Sequence, residues 1–310
     1  MTVLAVKHVT TYRYTRPVSF GEHRMMFRPR DSFDQKLIEA TLGIAPEPID
    51  IRWMHDVFGN CVAFATFGPK SDELRFESNI LVDHRPTDTP DFQIEDYARN
   101  YPFSYDAEEM PDLLPAIARQ YHDRDHEVQT WVQRFVNKGR PTDIGKLLMT
   151  LIYAIKESFT YERRITPGTR EPSLTLKLGY GSCRDFAVLM MEAVRSLGLA
   201  ARFVSGYLYV PSRDGPRHLG GGSTHAWCQV YLPGSGWVEF DPTNGIVGNR
   251  DLIRVAVARD PRQAIPLIGT FNGERSDYEG MTVEVRVRAV DGSSLPTSSP
   301  LAIGDRLASA

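Results

Sequence analysis

Short runs of β-branched and aromatic residues, broken by turn signals, occupy residues 1 to about 85: VKHVTTYRY, LIEATLGIAP, IDIRWMHDVFGN, CVAFATFG and LRFESNILVDH. Strands at this spacing predict an antiparallel sheet or sandwich. The polar stretch HRPTDTPD at 84–91, with two prolines, predicts a domain boundary. From about 93 to 160 the period becomes helical, most clearly at Ile144, Leu147, Leu148, Leu151, Ile152 and Ile155. A loop over 161–182 leads into a further helical pattern, CRDFAVLMMEAVRSLG. Strands then return in ARFVSGYLYV, THAWCQVYL, GWVEFDP, IRVAVA and MTVEVRVRAV. Helices followed by a sheet give an α+β order. The expected organisation is an N-terminal β-sandwich-like domain over 1–88, an α+β core over 89–290 and a loose small-residue tail over 291–310.

Composition bounds what such a chain does. The 310 residues are 42% hydrophobic and 24% charged, which are globular values and enough to bury a core without a metal or disulfide staple. A net charge of -3 supplies no global field for nucleic acid or an acidic membrane surface. Cys61, Cys183 and Cys228 are far apart and odd in number, so neither a disulfide framework nor a zinc ribbon fits. MTVLAVKHVTTYRYTRPV alternates like a strand, and no apolar stretch reaches the about 18 residues of a membrane span. A soluble, cytoplasmic protein is expected.

Of the three cysteines, Cys183 has the most distinctive setting. Ser182 occupies an N-cap position, Asp185 completes an S-x-x-D variant of the capping box, and Gly198 ends the helix. Cys183 is therefore the first helical residue, where unpaired amides and the positive end of the helix dipole favour a thiolate, with Arg184 adding positive charge. Phe186, Leu189, Met190, Ala193, Val194 and Leu197 form the buried stripe, and Cys183 shares that face. Gly179 and Gly181, in GYGS, allow close approach of backbone or substrate.

THAWCQVYLPGSGWVEFDPTNG reads as a hairpin turning near Pro233 and Gly234 and stopped by Pro242. Alternation puts His225, Trp227, Gln229 and Tyr231 on one face, with Ala226, Cys228, Val230 and Leu232 on the other. On the return strand Val238 and Phe240 are the apolar face, opposite Trp237, Glu239 and Asp241. Matching the apolar faces brings His225 and Asp241 to one face, opposite or one diagonal apart. A carboxylate there holds an imidazole's tautomer and stabilises its charged form. Glu239 shares the face and is the alternative orienter. Cys228 points away, which weakens a zinc site from Cys228, His225 and His218, and no fourth ligand offers itself.

Taken together, GYGSCRDFAVLMMEAVRSLGLAARFVSGYLY and STHAWCQVYLPGSGWVEFDPTNG resemble the transglutaminase-like superfamily of cysteine enzymes. HVTTYRYTRPV, MMFRPR and IAPEPIDIRWMHDVFGN look like the β domain that precedes this core in bacterial members. The resemblance implies a papain-like core of helices on an antiparallel sheet and a triad of Cys183 (nucleophile), His225 (general base and acid) and Asp241 (orienter). It implies a thioester resolved by water or an amine, with the Cys183 amide as one oxyanion-hole donor and the second, usually an upstream side chain, unassigned. Tyr207 and Trp227 are implied as substrate-binding residues, and a protein or peptide as substrate. The glycine-rich loop 213–224 is a candidate gate, with His218 solvated within it. No cofactor or metal is expected. The leading expectation is a cysteine-dependent amide hydrolase of peptidase type, the alternatives being a protein-glutamine transglutaminase and a non-catalytic binding scaffold.

Overall fold

The structure, a computed structural model, describes residues 2–86, 93–164, 166, 168–210 and 222–290. The N-terminal strands are β1 (Thr2–Phe20), β2 (His23–Met25), β3 (Gln35–Ala45), β4 (Asp50–His55), β5 (Cys61–Thr66) and β6 (Ser71–His84). Helices α1 (Met110–Ile117), α2 (Glu127–Gln133), α3 (Ile144–Ser158), α4 (Pro172–Leu178) and α5 (Cys183–Ser196) follow. The chain then forms β7 (Ala201–Leu208), β8 (His225–Leu232), β9 (Gly236–Asp241), β10 (Leu252–Ala258) and β11 (Tyr278–Val290). This is the α+β architecture expected, with antiparallel sheets throughout the main layers. One difference is α4, whose seven residues lie inside the stretch read as loop; Pro172 begins it and Gly179, at φ 67°, ends it.

In the core sheet β9, β8, β7 and β10 are neighbours in that order. Helix α5 packs on β7 and β8 and is covered from outside by α2, α3 and α4. It is consequently buried on nearly every side: Ala187, Val188 and Met191 are as inaccessible as the expected stripe of Phe186, Leu189, Met190, Ala193 and Val194. Each Val, Leu, Met or Phe among them contributes roughly 1.5–3 kcal/mol of transfer free energy when fully buried. The apolar back of the β8–β9 hairpin, Ala226, Cys228, Val230, Leu232 and Phe240, belongs to the same cluster as α5.

The C-terminal segment crosses the expected domain limits. Strand β11 does not extend the core sheet; it pairs antiparallel along β1 from Val3↔Val290 to Tyr12↔Met281 and onward, while β6 holds the other edge of β1. Leu267–Ile268 likewise joins β2, and Phe271–Asn272 joins the end of β1. An open edge of β1 leaves a row of unpaired backbone groups, and β11 satisfies them. Residues 267–290, assigned from sequence to the core, are thus part of the N-terminal sheets. The boundary stretch 84–91 is described only to residue 86, and the tail expected over 291–310 lies outside the described residues.

Gly206 is opposite His225 in the β7–β8 ladder, at a break in the β7–β10 register. A Cβ there would collide with the carbonyl oxygen of Ile253 and stand 2.7 Å from Cη2 of Trp227. Gly206→Ala is therefore expected to destabilise the protein by about 1–3 kcal/mol through overpacking, read as a lowered melting temperature. The strain falls where His225 is seated, so the variant tests the seat of the site as well.

Candidate active site

The approach to Cys183 is built by a two-residue parallel ladder, Tyr180–Gly181 against Thr160–Tyr161. It delivers the chain to α5 at Ser182. Asp185, fully buried, then accepts four hydrogen bonds: Ser182 N–H and Oγ at 2.9 and 2.8 Å on Oδ2, and Arg170 N–H and the Arg164 guanidinium at 2.7 and 2.6 Å on Oδ1. The expected capping box is present and is tied to the preceding loop as well. Cys183 is 7% exposed and lines a cavity of about 440 Å³.

Strands β8 and β9 pair with Gln229↔Glu239 and Cys228↔Phe240, which sets Asp241 across from Trp227 and one diagonal from His225. His225 Nε2 and Asp241 Oδ2 are 2.8 Å apart, both side chains fully out of solvent. Thr243 N–H and the Asn244 side-chain amide donate to the same carboxylate at 2.9 and 2.8 Å. This leaves His225 Nδ1, buried with no partner at ordinary hydrogen-bond distance among the described residues, as the nitrogen available to the Cys183 sulfur. Burial disfavours the imidazolium. The charge and hydrogen bond of Asp241, followed by those of Cys183, outweigh it and push His225 up to about 10. Burial likewise penalises the Asp241 carboxylate, but His225, Asn244 and the Thr243 amide hold it below its ordinary value.

Glu239, the alternative orienter, is committed elsewhere. It accepts from Trp227 Nε1 at 2.5 Å, Gln229 Nε2 at 2.6 Å and Arg254 at 2.5 Å. Trp227 is fully buried among Val204, Leu208, Leu252 and Val257 and stacks on the His225 ring at 6.0 Å between centroids. It supports the imidazole from behind and is not part of the cavity wall, contrary to the substrate-binding expectation. Tyr207 departs further from that expectation: its hydroxyl is hydrogen-bonded to Nδ1 of buried His8 at 2.9 Å, and it packs with Leu4, Val6, Ile80, Val82, Ile253 and Val255 between β1–β6 and the core sheet. Strand alternation gives the face of Tyr207 but not the layer covering it.

The cavity wall holds residues that sequence reasoning passed over. Tyr161 stands beside Cys183; burial first, and the neighbouring sulfur's charge next, push its phenol up to about 12. Arg163 and Arg164 line the same space beside Arg184, already expected to add positive charge there, as do Ile265 and Pro266 and, from β11, Met281 and Val283. The loop 213–224 is described only from residue 222, and His218 lies outside the described residues. Among the described residues no helix is long and apolar enough to cross a membrane.

A helix-borne cysteine facing a strand-borne His–Asp pair, on this order of helices and antiparallel strands, defines the transglutaminase-like class. The comparisons agree. The transglutaminase-like superfamily model matches residues 129–242, and the bacterial transglutaminase-like N-terminal region matches residues 4–83. An uncharacterized protein of Mycobacterium tuberculosis is 31% identical over 311 residues, covering 94% of each chain. One of Mycobacterium leprae is 38% identical over 106 residues, 34% of this chain and 37% of its own. The chain belongs to the transglutaminase-like superfamily. A solved structure from Cytophaga hutchinsonii, provisionally named a cysteine protease, shares the fold with a TM-score of 0.69 at 17% identity, covering 96% of this chain and 94% of that one.

Replacing the orienter tests the electrostatics directly. In Asp241→Asn the burial penalty on His225 is no longer opposed by its main partner, so its pKa falls from about 10, measured by the ring's NMR titration. Because the folded value is raised above the ordinary 6.5, the pair's stabilisation is fully present below pH 6.5 and is lost as pH rises through about 10. Unfolding free energy of the native protein should decline over that window, and the decline should be absent in Asp241→Asn.

Proposed function

We propose that this protein is a cysteine-dependent amide hydrolase acting on a protein or peptide through a thioester. The observation that carries the reading is the buried His225–Asp241 pair at 2.8 Å, served to a cysteine at a helix N-terminus on the wall of an open cavity. The provisional protease name of the Cytophaga hutchinsonii structure is consistent with it. Residue by residue, Cys183 attacks as thiolate at the amide carbonyl carbon beside the His225 imidazolium. The resulting oxyanion meets the Cys183 backbone N–H, an unpaired donor of the first helical turn.

We assign the second donor to Tyr161. Its phenol, protonated at neutral pH even at its ordinary value, is held further from ionisation by burial and the sulfur's charge. Collapse of the intermediate breaks the C–N bond, and His225 gives its proton to the leaving amine. The neutral imidazole then takes a proton from water as the oxygen attacks the thioester; C–S cleavage returns the thiolate, the imidazolium and a free acid. Asp241 keeps Nε2 of His225 engaged throughout, so Nδ1 stays on the side of the sulfur.

Cys183→Ala is expected to abolish amide turnover with an unchanged fold, since the loss of one sulfur atom is a small change in volume. A mild alkylator at neutral pH should modify Cys183 well before Cys228, whose thiol is fully buried and raised by that burial, and before half-buried Cys61; equal rates at all three would sink the activated-thiolate reading. Tyr161→Phe should lower kcat by about 100-fold with little change in KM if the hydroxyl is an oxyanion donor. A glutamine-containing peptide with a labelled primary amine decides the acceptor. Ammonia or cleaved peptide without label supports hydrolysis, while labelled product would establish the transglutaminase reaction in its place.

A further inference from the structure

The cleft carries positive charge beyond what favouring the thiolate calls for. Four arginines line it, Arg163, Arg164, Arg184 and Arg262, and among the described residues no Asp or Glu does. Two are neutralised from behind: Arg164 by Asp185 at 2.6 Å, and Arg262 by Asp260 at 2.8 and 2.9 Å. The other two are not. Arg184 folds back so that one guanidinium nitrogen donates to the carbonyls of Arg164 and Thr166 at 3.0 and 3.1 Å, with no ion pair among the described residues. Arg163 is exposed at the cleft and, among the described residues, makes neither a hydrogen bond nor an ion pair. Both act on the Tyr161 hydroxyl, as Cys183 does, so the two free charges and the sulfur share one neighbourhood.

A guanidinium withdrawn from water without an anion carries a desolvation cost that an arriving carboxylate relieves. Its planar fork suits a carboxylate better than a point charge would. Facing it, Ile265, Pro266, Met281 and Val283 offer an apolar wall. We propose that Arg184 and Arg163 select an acyl donor bearing a carboxylate close to the scissile carbonyl, as in a peptide with Glu or Asp beside the cleaved amide. This rests on Cys183 being the nucleophile, and it adds the class of substrate that the site prefers.

Iodoacetate and iodoacetamide are nearly the same size and differ in the charge next to the reactive carbon, so they read the preference without a known substrate. Rate constants for alkylation of Cys183 by each, located by peptide mass spectrometry, are compared in the native protein, Arg163→Gln and Arg184→Gln. His225 is common to all three, and its own charge cancels in the comparison. The iodoacetate-to-iodoacetamide ratio is expected to fall about tenfold in Arg184→Gln, the change that 1.4 kcal/mol of lost pairing produces, and by a smaller factor in Arg163→Gln. Added salt should diminish the native preference. Ratios unchanged in both variants would overturn the selection. Failure of both reagents at Cys183 while Cys61 reacts would instead overturn the nucleophile itself. Arg163 makes no contact whose loss threatens folding, so its variant keeps the test open if Arg184→Gln does not fold.

Discussion

The site depends above all on the burial of one carboxylate. Asp185 lies wholly inside the protein, where an ionised group is tolerated only if its lone pairs are satisfied. Its four donors all precede the nucleophile: Ser182 at the helix start, and Arg164 and Arg170 from the preceding loop. Satisfying Asp185 thus fixes the first turn of α5, the cavity wall at Arg164, the backbone at Arg170 and the direction of Cys183 in one stroke. Removing any donor leaves part of a buried charge unpaired, so the first turn and the wall cannot shift independently.

A second buried network performs the same service for the base. Glu239 gathers Trp227, Gln229 and Arg254, and Arg254 reaches on to Asp34, next to β3 in the N-terminal part of the chain, at 3.0 Å. Trp227, stacked on His225, is therefore held through one carboxylate and one guanidinium by a residue nearly two hundred positions away in sequence. Asn60 extends the link, its side chain bonded to the backbone of Val257 in β10 at 2.7 and 2.9 Å. The N-terminal sheets behave as a buttress for the hairpin that carries the His–Asp pair, in addition to enclosing it.

Much of this was legible in the chain because it is written in short-range periodicity. The capping residues around Cys183 and the two-residue alternation of the hairpin determine local geometry, and they locate the helix start and the shared face of His225 and Asp241. Choosing Asp241 over Glu239 followed from register alone. Tyr207, Trp227 and Tyr161 were not legible in the same way. Alternation says that Tyr207 and Trp227 leave the sheet on given faces; whether substrate or another layer meets them is decided by long-range packing, and for Tyr207 the layer is β1–β6 with His8. Tyr161, Arg163 and Arg164 reach the cleft through a two-residue ladder and the segment after it, which no periodic signal marks.

The return of β11 to β1 also orders events in time. Residues 3–14 are paired with residues 278–290, so one of the two partner strands of that stretch of the first element emerges only after the helices, the cysteine and the hairpin have been synthesised. Contacts of such sequence separation form late and slowly. Met281 and Val283, carried on that strand, complete the cleft. Until the strand docks, the cavity lacks that wall and the nucleophile has no fully shaped space in which to hold a substrate. Assembly of the site is thereby coupled to near-completion of the fold, and a chain stalled short of β11 would present its cysteine without an enclosed cleft.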